Sequence, residues 1–255
     1  MLKPVYDHST GTLVRPEYLV PREFVIVEGL LGFHTQAMRQ FYDVKVFLDP
    51  PEQLRREWKI KRDTTKRGYT PEQVLAELDR READSRDFIR PQREFADIVV
   101  RFCPDGNGSD QSDSHLNVQL VLRPTIPHPD LSYLFDEETR RSGVRLELGR
   151  DKGRPVDFLC IDGNVSRQHA AELEDEIWKH LPDLRPLRAD QFGEYNYGSE
   201  IRHSDPLALT QLLITYHLLR AYSKDAPMPF ARPIAALNRL QFLPESAPLE
   251  AFTEK

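Results

Sequence analysis

Two short apolar runs near the start of the chain have the pattern of strands in a parallel sheet. The first, FVIV at 24–27, is followed by Glu28 and Gly29, and the second, VKVFL at 44–48, is followed by Asp49 and two prolines. Apolar runs of this length that are bounded by turn-forming residues are typical of strands buried on both faces. The pattern therefore predicts one strand that ends at the Glu28 carboxylate and a second strand that leads into a helix.

Helix-forming residues without an internal glycine or proline occupy positions 52–67, and Gly68 follows them. Such a run predicts a helix that ends at the glycine. The next motif, TPEQ, places a capping Thr70 before a proline and puts Gln73 three residues after the cap. This combination is a helix-start signal, so we predict a second, charged helix after Thr70.

A loop rich in glycine, serine and aspartate at 105–114 is the best candidate boundary in the chain. It follows a strand pattern at 97–102 and divides the sequence into segments 1–104 and 115–255. Beyond the loop, alternating apolar and polar residues predict strands with one solvated face and antiparallel character. These strands are expected at 115–122, 144–148 and 156–161, and helices are expected at 166–180 and 206–222. The fold class is therefore α/β, with a parallel half like that of nucleotide-binding folds and a mixed, strand-rich second half.

Charge and composition restrict the function classes. The 255 residues carry a formal net charge of −6, and 39% of them are hydrophobic. A surface that binds nucleic acid or anionic lipid needs a basic footprint, so neither partner is expected. No apolar run approaches the ~18 residues of a spanning helix, and the distant Cys103 and Cys160 form no disulfide framework or zinc motif. We therefore expect a cytoplasmic protein without a membrane segment.

Basic residues recur on one face of the first predicted helix. Arg55, Lys59, Arg62 and Lys66 are spaced by four, three and four residues, with Asp63 beside them. One interpretation is a solvated charged face, which is common and contributes little to stability. The other is a phosphate site, because the arginine fork matches phosphate oxygens and lysine adds a point charge. Spacing alone does not decide between the two.

Glu28 is a second candidate for chemistry. A carboxylate at the carboxyl end of a parallel strand lies where open α/β sheets bind ligands, and it can orient Mg²⁺ directly or through water. The alternative is an acidic residue that only caps a loop. The histidines have no metal-binding spacing such as HExxH, so the sequence indicates no further metal site.

Four sequence blocks occur in order within residues 1–102. They are KPVYDHSTG, VIVEGLLGF, YDVKVFLDPPEQLRREWKIKRDTTKRGYT and FIRPQREFADIVV. Together they resemble the phosphoribulokinase branch of the phosphoribulokinase and uridine kinase family. Two later blocks, FLCIDGNVSRQHAAELEDEIWKHL and SDPLALTQLLITYHLL, are similar more loosely to the end of the plant and cyanobacterial type. The resemblance implies a P-loop kinase-like parallel sheet in the first half of the chain.

The resemblance also implies an activity and a set of site residues. This branch of the family phosphorylates ribulose 5-phosphate with ATP and Mg²⁺, which yields ribulose 1,5-bisphosphate for carbon fixation in the Calvin cycle. The residue-by-residue match implies catalytic roles for Glu28, near Mg²⁺, and for Arg62, Asp63 and Arg67. It implies substrate binding by Tyr6, His8, Lys59, Arg62 and Arg67.

The chain departs from the family in two respects. It contains no GxxxxGK followed by Ser or Thr, the loop whose backbone amides cradle the ATP phosphates. It also lacks the region in which the family carries an aspartate as general base. We therefore expect an N-terminally truncated fragment of a phosphoribulokinase. The alternatives are a shortened, non-catalytic paralogue that binds a sugar phosphate or a partner kinase, and a uridine kinase-like enzyme. The C-terminal half is also a candidate surface for a homodimer.

Overall fold

The computed structural model describes residues 2–7, 10–20, 22, 24–104, 116–135, 143–181, 191–197 and 200–222. Its strands are β1 (Leu2–Asp7), β2 (Thr12–Tyr18), β3 (Val46–Leu48), β4 (Ile98–Cys103), β5 (Asn117–Leu122), β6 (Val144–Asp151), β7 (Arg154–Ile161), β8 (Glu194–Tyr197) and β9 (Glu200–His203). Its α-helices are α1 (Gln36–Arg39), α2 (Glu52–Arg67), α3 (Pro71–Arg80), α4 (Glu82–Asp84), α5 (Arg167–Lys179) and α6 (Asp205–Tyr222). A π-helical turn covers Ser85–Ile89, and 3₁₀ helices cover Arg90–Phe95 and Ser132–Phe135.

Five of the strands form a mixed sheet in the order β3-β4-β5-β7-β6. β3 and β4 run parallel, with Val46 opposite Ile98, and the remaining neighbours pair antiparallel. A parallel pair needs a long connection, which here contains α2 and α3. β1 with β2 and β8 with β9 form separate antiparallel hairpins. The structure confirms the α/β class with a mixed sheet, as expected for a P-loop kinase-like fold.

Alternating residues of this sheet enter two apolar layers. Ile98 and Val100 of β4 join the larger layer, which includes α5 and α6, and Val99 joins the smaller layer on the opposite face. Trp178 of α5 and Leu213 of α6 are among the most deeply buried side chains. Both C-terminal helices predicted from the sequence are therefore confirmed. No helix within the described residues combines the length and the apolar character needed to span a membrane.

Local signals set the ends of α2 and α3. α2 ends at Gly68, whose φ of 74° is a left-handed conformation that glycine adopts without strain. α3 begins with a capping box, in which the Gln73 N–H donates to Thr70 Oγ1 and the Thr70 N–H donates to Gln73 Oε1. An ion pair of 2.7 Å between Arg56 and Asp79 joins the two helices. The helix at 52–67 and the helix start after Thr70 are therefore confirmed.

The predicted strand at 24–27 is wrong. Within the described residues this segment has no strand partner, and Ile26 in its centre is 81% exposed. A strand forms only where its N–H and C=O groups pair with a neighbouring strand, and β3 pairs with β4 alone at the edge of the sheet. The segment is irregular, and the Phe24 ring packs 5.1 Å from the ring of Tyr222, centroid to centroid. Glu28 therefore does not end a strand.

The predicted boundary loop at 105–114 lies outside the described residues. β4 and β5, which flank it in sequence, are antiparallel neighbours in the same sheet. The two segments on either side of the loop thus share one sheet, and the division into 1–104 and 115–255 stays a prediction.

Candidate functional site

A cleft of about 780 Å³ opens at the carboxyl end of β4, between α2 and the start of α6. Open α/β sheets bind ligands at this end of their parallel strands, and the volume is typical of small-molecule sites. The lining comes from α2, the adjacent ends of β4 and β5, the strand β8 and the first residues of α6. This cleft is the candidate functional site.

The α2 wall of the cleft is cationic. Lys61, Arg62 and Lys66 line it together with Thr65, because positions three and four apart share one side of a helix. Among the described residues that line the cleft, none is a carboxylate, although the whole chain carries a net charge of −6. The wall therefore suits an anionic ligand.

Asp63 connects two arginines in the last turns of α2. It is 4% exposed and accepts a hydrogen bond of 2.8 Å from Arg62 Nε, and Arg67 Nη1 lies 3.4 Å from the same oxygen. The Arg62 hydrogen bond and the charges of its basic neighbours hold the pKa of Asp63 below its ordinary value. Because Nε is engaged by Asp63, the terminal nitrogens of Arg62 form the fork that can bind phosphate oxygens.

The basic residues of the predicted helix face lie in different environments in the structure. Arg55 forms an exposed ion pair of 2.7 Å with Glu52, which is the solvated arrangement. Lys59 lies toward the end of α3, where burial is the main cause that lowers its pKa. Arg62 and Lys66 are the members of this face that line the cleft. Arg55 therefore has the solvated arrangement, and the phosphate-site interpretation stays a prediction for Arg62 and Lys66.

Apart from Arg62, none of the expected site residues that the structure describes is among the residues that line this cleft, so Lys59, Asp63 and Arg67 lie beside it on α2. Glu28 lies exposed in an irregular segment, and the side chain of Tyr6 and all of His8 lie outside the described residues. In the part of the chain that the structure describes, no group of three or more His, Cys, Asp or Glu side chains could hold a metal ion. The roles of Glu28, Tyr6 and His8 therefore stay predictions.

The second wall of the cleft was not predicted from the sequence. Tyr195 and Asn196 of β8 line it together with Ser204 before α6. Gly193 places them there: its carbonyl accepts the Ser204 N–H at 3.0 Å, and its own N–H donates to Gln211 Oε1 at 2.7 Å. No spacing rule links these residues to α2, because their proximity to that helix depends on the tertiary fold.

The chain is similar to a group of kinases. Residues 1–108 match the model described as "Phosphoribulokinase / Uridine kinase family". The chain is 33% identical over 178 residues to a phosphoribulokinase of Synechocystis sp., a match that covers 64% of this chain and 54% of that protein. It is 33% identical over 218 residues to a chloroplastic phosphoribulokinase of Arabidopsis thaliana, with coverages of 76% and 55%. It is 31% identical over 121 residues to a uridine kinase of Listeria monocytogenes, with coverages of 47% and 54%. The chain spans about half the length of the curated relatives it matches.

Proposed function

The chain belongs, over residues 1–108, to the phosphoribulokinase / uridine kinase family, and from this premise we propose that it carries the phosphate-binding site of a kinase that phosphorylates ribulose 5-phosphate. ATP donates the phosphoryl group, a hydroxyl of ribulose 5-phosphate accepts it and loses its proton, and the products are ADP and ribulose 1,5-bisphosphate, the acceptor for carbon fixation. Relatives named phosphoribulokinase support this substrate over uridine, because their matches cover 64% and 76% of the chain and the uridine kinase match covers 47%.

The observation that carries the proposal is that two arginines, Arg62 and Arg67, contact the same buried carboxylate, that of Asp63. Phosphoryl transfer brings the ATP phosphates and a sugar phosphate together, so the site must neutralise several negative charges and hold the reacting groups in line. Two guanidinium groups that are already oriented stabilise this charge without reorganising during the reaction. In this proposal Arg62 and Arg67 bind phosphate groups, Asp63 positions them, and Lys59 and Lys66 add positive charge.

The cationic wall of the cleft fits the phosphates of ATP, which supplies the transferred group when bound. The sequence contains no GxxxxGK followed by Ser or Thr, so a backbone cradle for the phosphates is not assigned to these residues. Magnesium in kinase sites is held largely by phosphate oxygens and water, and the described residues contain no metal-binding group of three side chains. Glu28 stays the expected protein contact to Mg²⁺, and Tyr6 and His8 stay the expected contacts to the sugar phosphate.

Binding of ribulose 5-phosphate, measured by isothermal titration calorimetry, tests the proposal without requiring turnover. Arg62→Ala and Arg67→Ala should each weaken binding about tenfold or more, because a hydrogen bond to a charged group contributes about 1.5–3 kcal/mol. Arg55→Ala is the matched control, since Arg55 lies on the same helix but pairs with Glu52. It should change the affinity less than about twofold. Equal losses in all three variants, or no binding by the wild type, would contradict the proposal.

A substrate panel separates the proposed function from its alternatives. Uridine should not compete with ribulose 5-phosphate, and competition by uridine would favour the nucleoside kinase. Binding of ribulose 5-phosphate without transfer, in the presence of ATP and Mg²⁺, would favour the non-catalytic paralogue.

A further inference from the structure

An apolar surface is exposed at the end of α6, away from the cleft. A pocket of about 110 Å³ lies there, and the side chains that line it include Phe24, Val25, Ile26, Phe41, Val44 and Tyr222, hereafter the Phe24 patch. Within this patch Val25 is 62% exposed and Ile26 is 81% exposed. Contiguous exposed apolar side chains of this kind mark a surface on which another protein element docks.

The Phe24 patch and the cleft lie at opposite ends of one helix. Leu207 near the start of α6 lines the cleft, and Tyr222 at its end lines the pocket of the patch. At 1.5 Å of rise per residue, about 23 Å of helix separates the two residues. The patch is therefore not an extension of the candidate functional site.

The chain itself continues from the rim of the Phe24 patch. Tyr222 is the last described residue of α6, and its ring packs 5.1 Å from the ring of Phe24, centroid to centroid. Residues 223–255 follow it in the sequence and lie outside the described residues. A segment that is tethered beside a surface has an effective concentration of about millimolar, so it competes well with free partners.

The sequence that follows Tyr222 has the chemistry that this patch can bury. Seven large apolar residues occur within positions 228–243, namely Met228, Phe230, Ile234, Leu237, Leu240, Phe242 and Leu243. The charged residues of the same stretch are Arg232 and Arg239, whereas the charged residue among the described lining of the pocket is Asp43. The stretch and the patch are thus both apolar and carry opposite charge.

A second copy of the chain is a less suitable occupant. A twofold contact through the Phe24 patch would place the same surface on both sides of the interface. It would bring the two negative Asp43 side chains to one interface, and like charges disfavour such a contact. The segment 228–243 brings arginines instead.

We propose that the segment 228–243 covers the Phe24 patch of the same molecule. Its apolar side chains bury Val25 and Ile26 and fill the pocket beside Tyr222, and its arginines add positive charge on the side of Asp43. The segment thereby shields the apolar side chains next to β3, the edge strand of the sheet, from other proteins. The inference goes beyond the proposed function and does not depend on it.

Hydroxyl-radical footprinting of the full chain, read by mass spectrometry, tests the proposal because it measures the exposure of side chains. In the wild type the peptide 24–31 should be labelled slowly, although the described residues leave Ile26 exposed. Ile234→Asp combined with Leu237→Asp should raise this labelling about tenfold, as expected for a patch that is covered about nine-tenths of the time. Leu249→Asp is the matched control, because it makes the same kind of change outside 228–243. It should leave the labelling of 24–31 unchanged.

Ile26→Asp tests the contact from the other side. Ile26 is 81% exposed among the described residues, so the change leaves the described core intact, and it should increase the labelling of 228–243. Leu148→Asp is the matched control, because Leu148 is 73% exposed on β6 at the opposite edge of the sheet. It should not change the labelling of 228–243.

Three results would overturn the inference. Protection of 24–31 that is lost on dilution, with a parallel fall in molar mass by light scattering, would assign the patch to a second copy. Labelling of 24–31 in the wild type as fast as that of Leu148 would show that the patch is open. Protection that survives Ile234→Asp with Leu237→Asp would show that another element covers it. None of these measurements involves ribulose 5-phosphate, so failure of the proposed function would leave their results unchanged.

Discussion

The imidazole rings of His128 and His217 meet inside the protein, with 3.2 Å between His128 Nδ1 and His217 Nε2. His217 lies on α6 and is 3% exposed, and His128 lies in the segment that follows β5. His128 Nε2 is 2.8 Å from the carbonyl oxygen of Arg123, so it carries the proton that is donated there. His128 Nδ1 is then the acceptor for an N–H of His217. The contact joins α6 to the end of the central sheet and requires that His128 Nδ1 carry no proton.

Because of this histidine pair, we predict that the free energy of unfolding decreases in mildly acidic solution. Burial, followed by the charge of His128, lowers the pKa of His217 from 6.5 to about 4. The unfolded chain therefore binds this proton more tightly than the folded chain. Protonation of His217 does not reduce the free energy of unfolding above pH 6.5, and it reduces that free energy progressively as the pH falls from 6.5 to 4. At about 1.4 kcal/mol per pKa unit, the contribution reaches about 3 kcal/mol. Urea unfolding as a function of pH measures it.

His217→Gln isolates the histidine from the carboxyl groups that also titrate in acid. Glutamine keeps a hydrogen-bonding side chain but does not ionise in this range. The loss of stability between pH 6.5 and 4 should be smaller in the variant than in the wild type. Identical losses would show that the histidine pair does not control this pH dependence.

Asp151 is the shared partner of Arg123, which is buried, and of Arg93, which is largely buried, and its removal should be costly. Arg93 Nη1 and Arg123 Nη2 lie 2.8 and 2.7 Å from Asp151 Oδ2, and their side chains are 14% and 6% exposed. Asp151→Ala leaves buried positive charge with less compensation, and it should lower the free energy of unfolding by about 3–5 kcal/mol. Asp79→Ala removes the exposed partner of Arg56 and should cost at most about 1 kcal/mol. Urea unfolding compares the two, and similar losses would contradict the importance of burial.

Gly193 should tolerate a side chain less well than another glycine with the same backbone conformation. Gly193 and Gly153 both have φ of 82°, but an added Cβ would lie 2.5 Å from the Ser204 carbonyl oxygen at Gly193 and would meet nothing within 4 Å at Gly153. Gly153→Ala should therefore cost only the left-handed strain, about 1–2 kcal/mol. Gly193→Ala adds the clash and should displace β8. Its melting temperature should be lower than that of Gly153→Ala, and the reverse order would contradict the close approach at Ser204.

Cys103 and Cys160 should not form a disulfide within the chain. They lie on strands that flank β5, where Cys103 pairs with Asn117 and Cys160 pairs with Gln119. Two strand spacings, about 10 Å, therefore separate them, whereas a disulfide needs Cα atoms within about 7 Å. Burial also raises the pKa of the Cys160 thiol, which lowers its reactive fraction. After mild oxidation, both thiols of the monomer should still react in denaturant, and loss of both would contradict the strand register.

Features that depend on neighbouring residues were determined by the sequence itself. The helix at 52–67 follows from an uninterrupted run of helix formers and ends at Gly68, and the next helix begins at the capping box of Thr70 and Gln73. Each of these signals acts over a few residues, where hydrogen bonds and backbone conformation depend little on the rest of the chain. The ordered motifs of residues 1–102 likewise identified the family, which the match over residues 1–108 supports.

Features that depend on contacts between distant residues were decided only by the tertiary structure. An apolar run at 24–27 has the composition of a strand, but strand formation requires a partner, and the described sheet provides none at that position. Helical spacing placed Arg55 and Arg62 on one face, but Glu52 engages the first and Asp63 orients the second beside the cleft. The wall formed by β8 and the start of α6 has no local signal at all. Its place beside α2 results from the packing of α6 on the sheet, which brings residues that are distant in sequence to the same cleft.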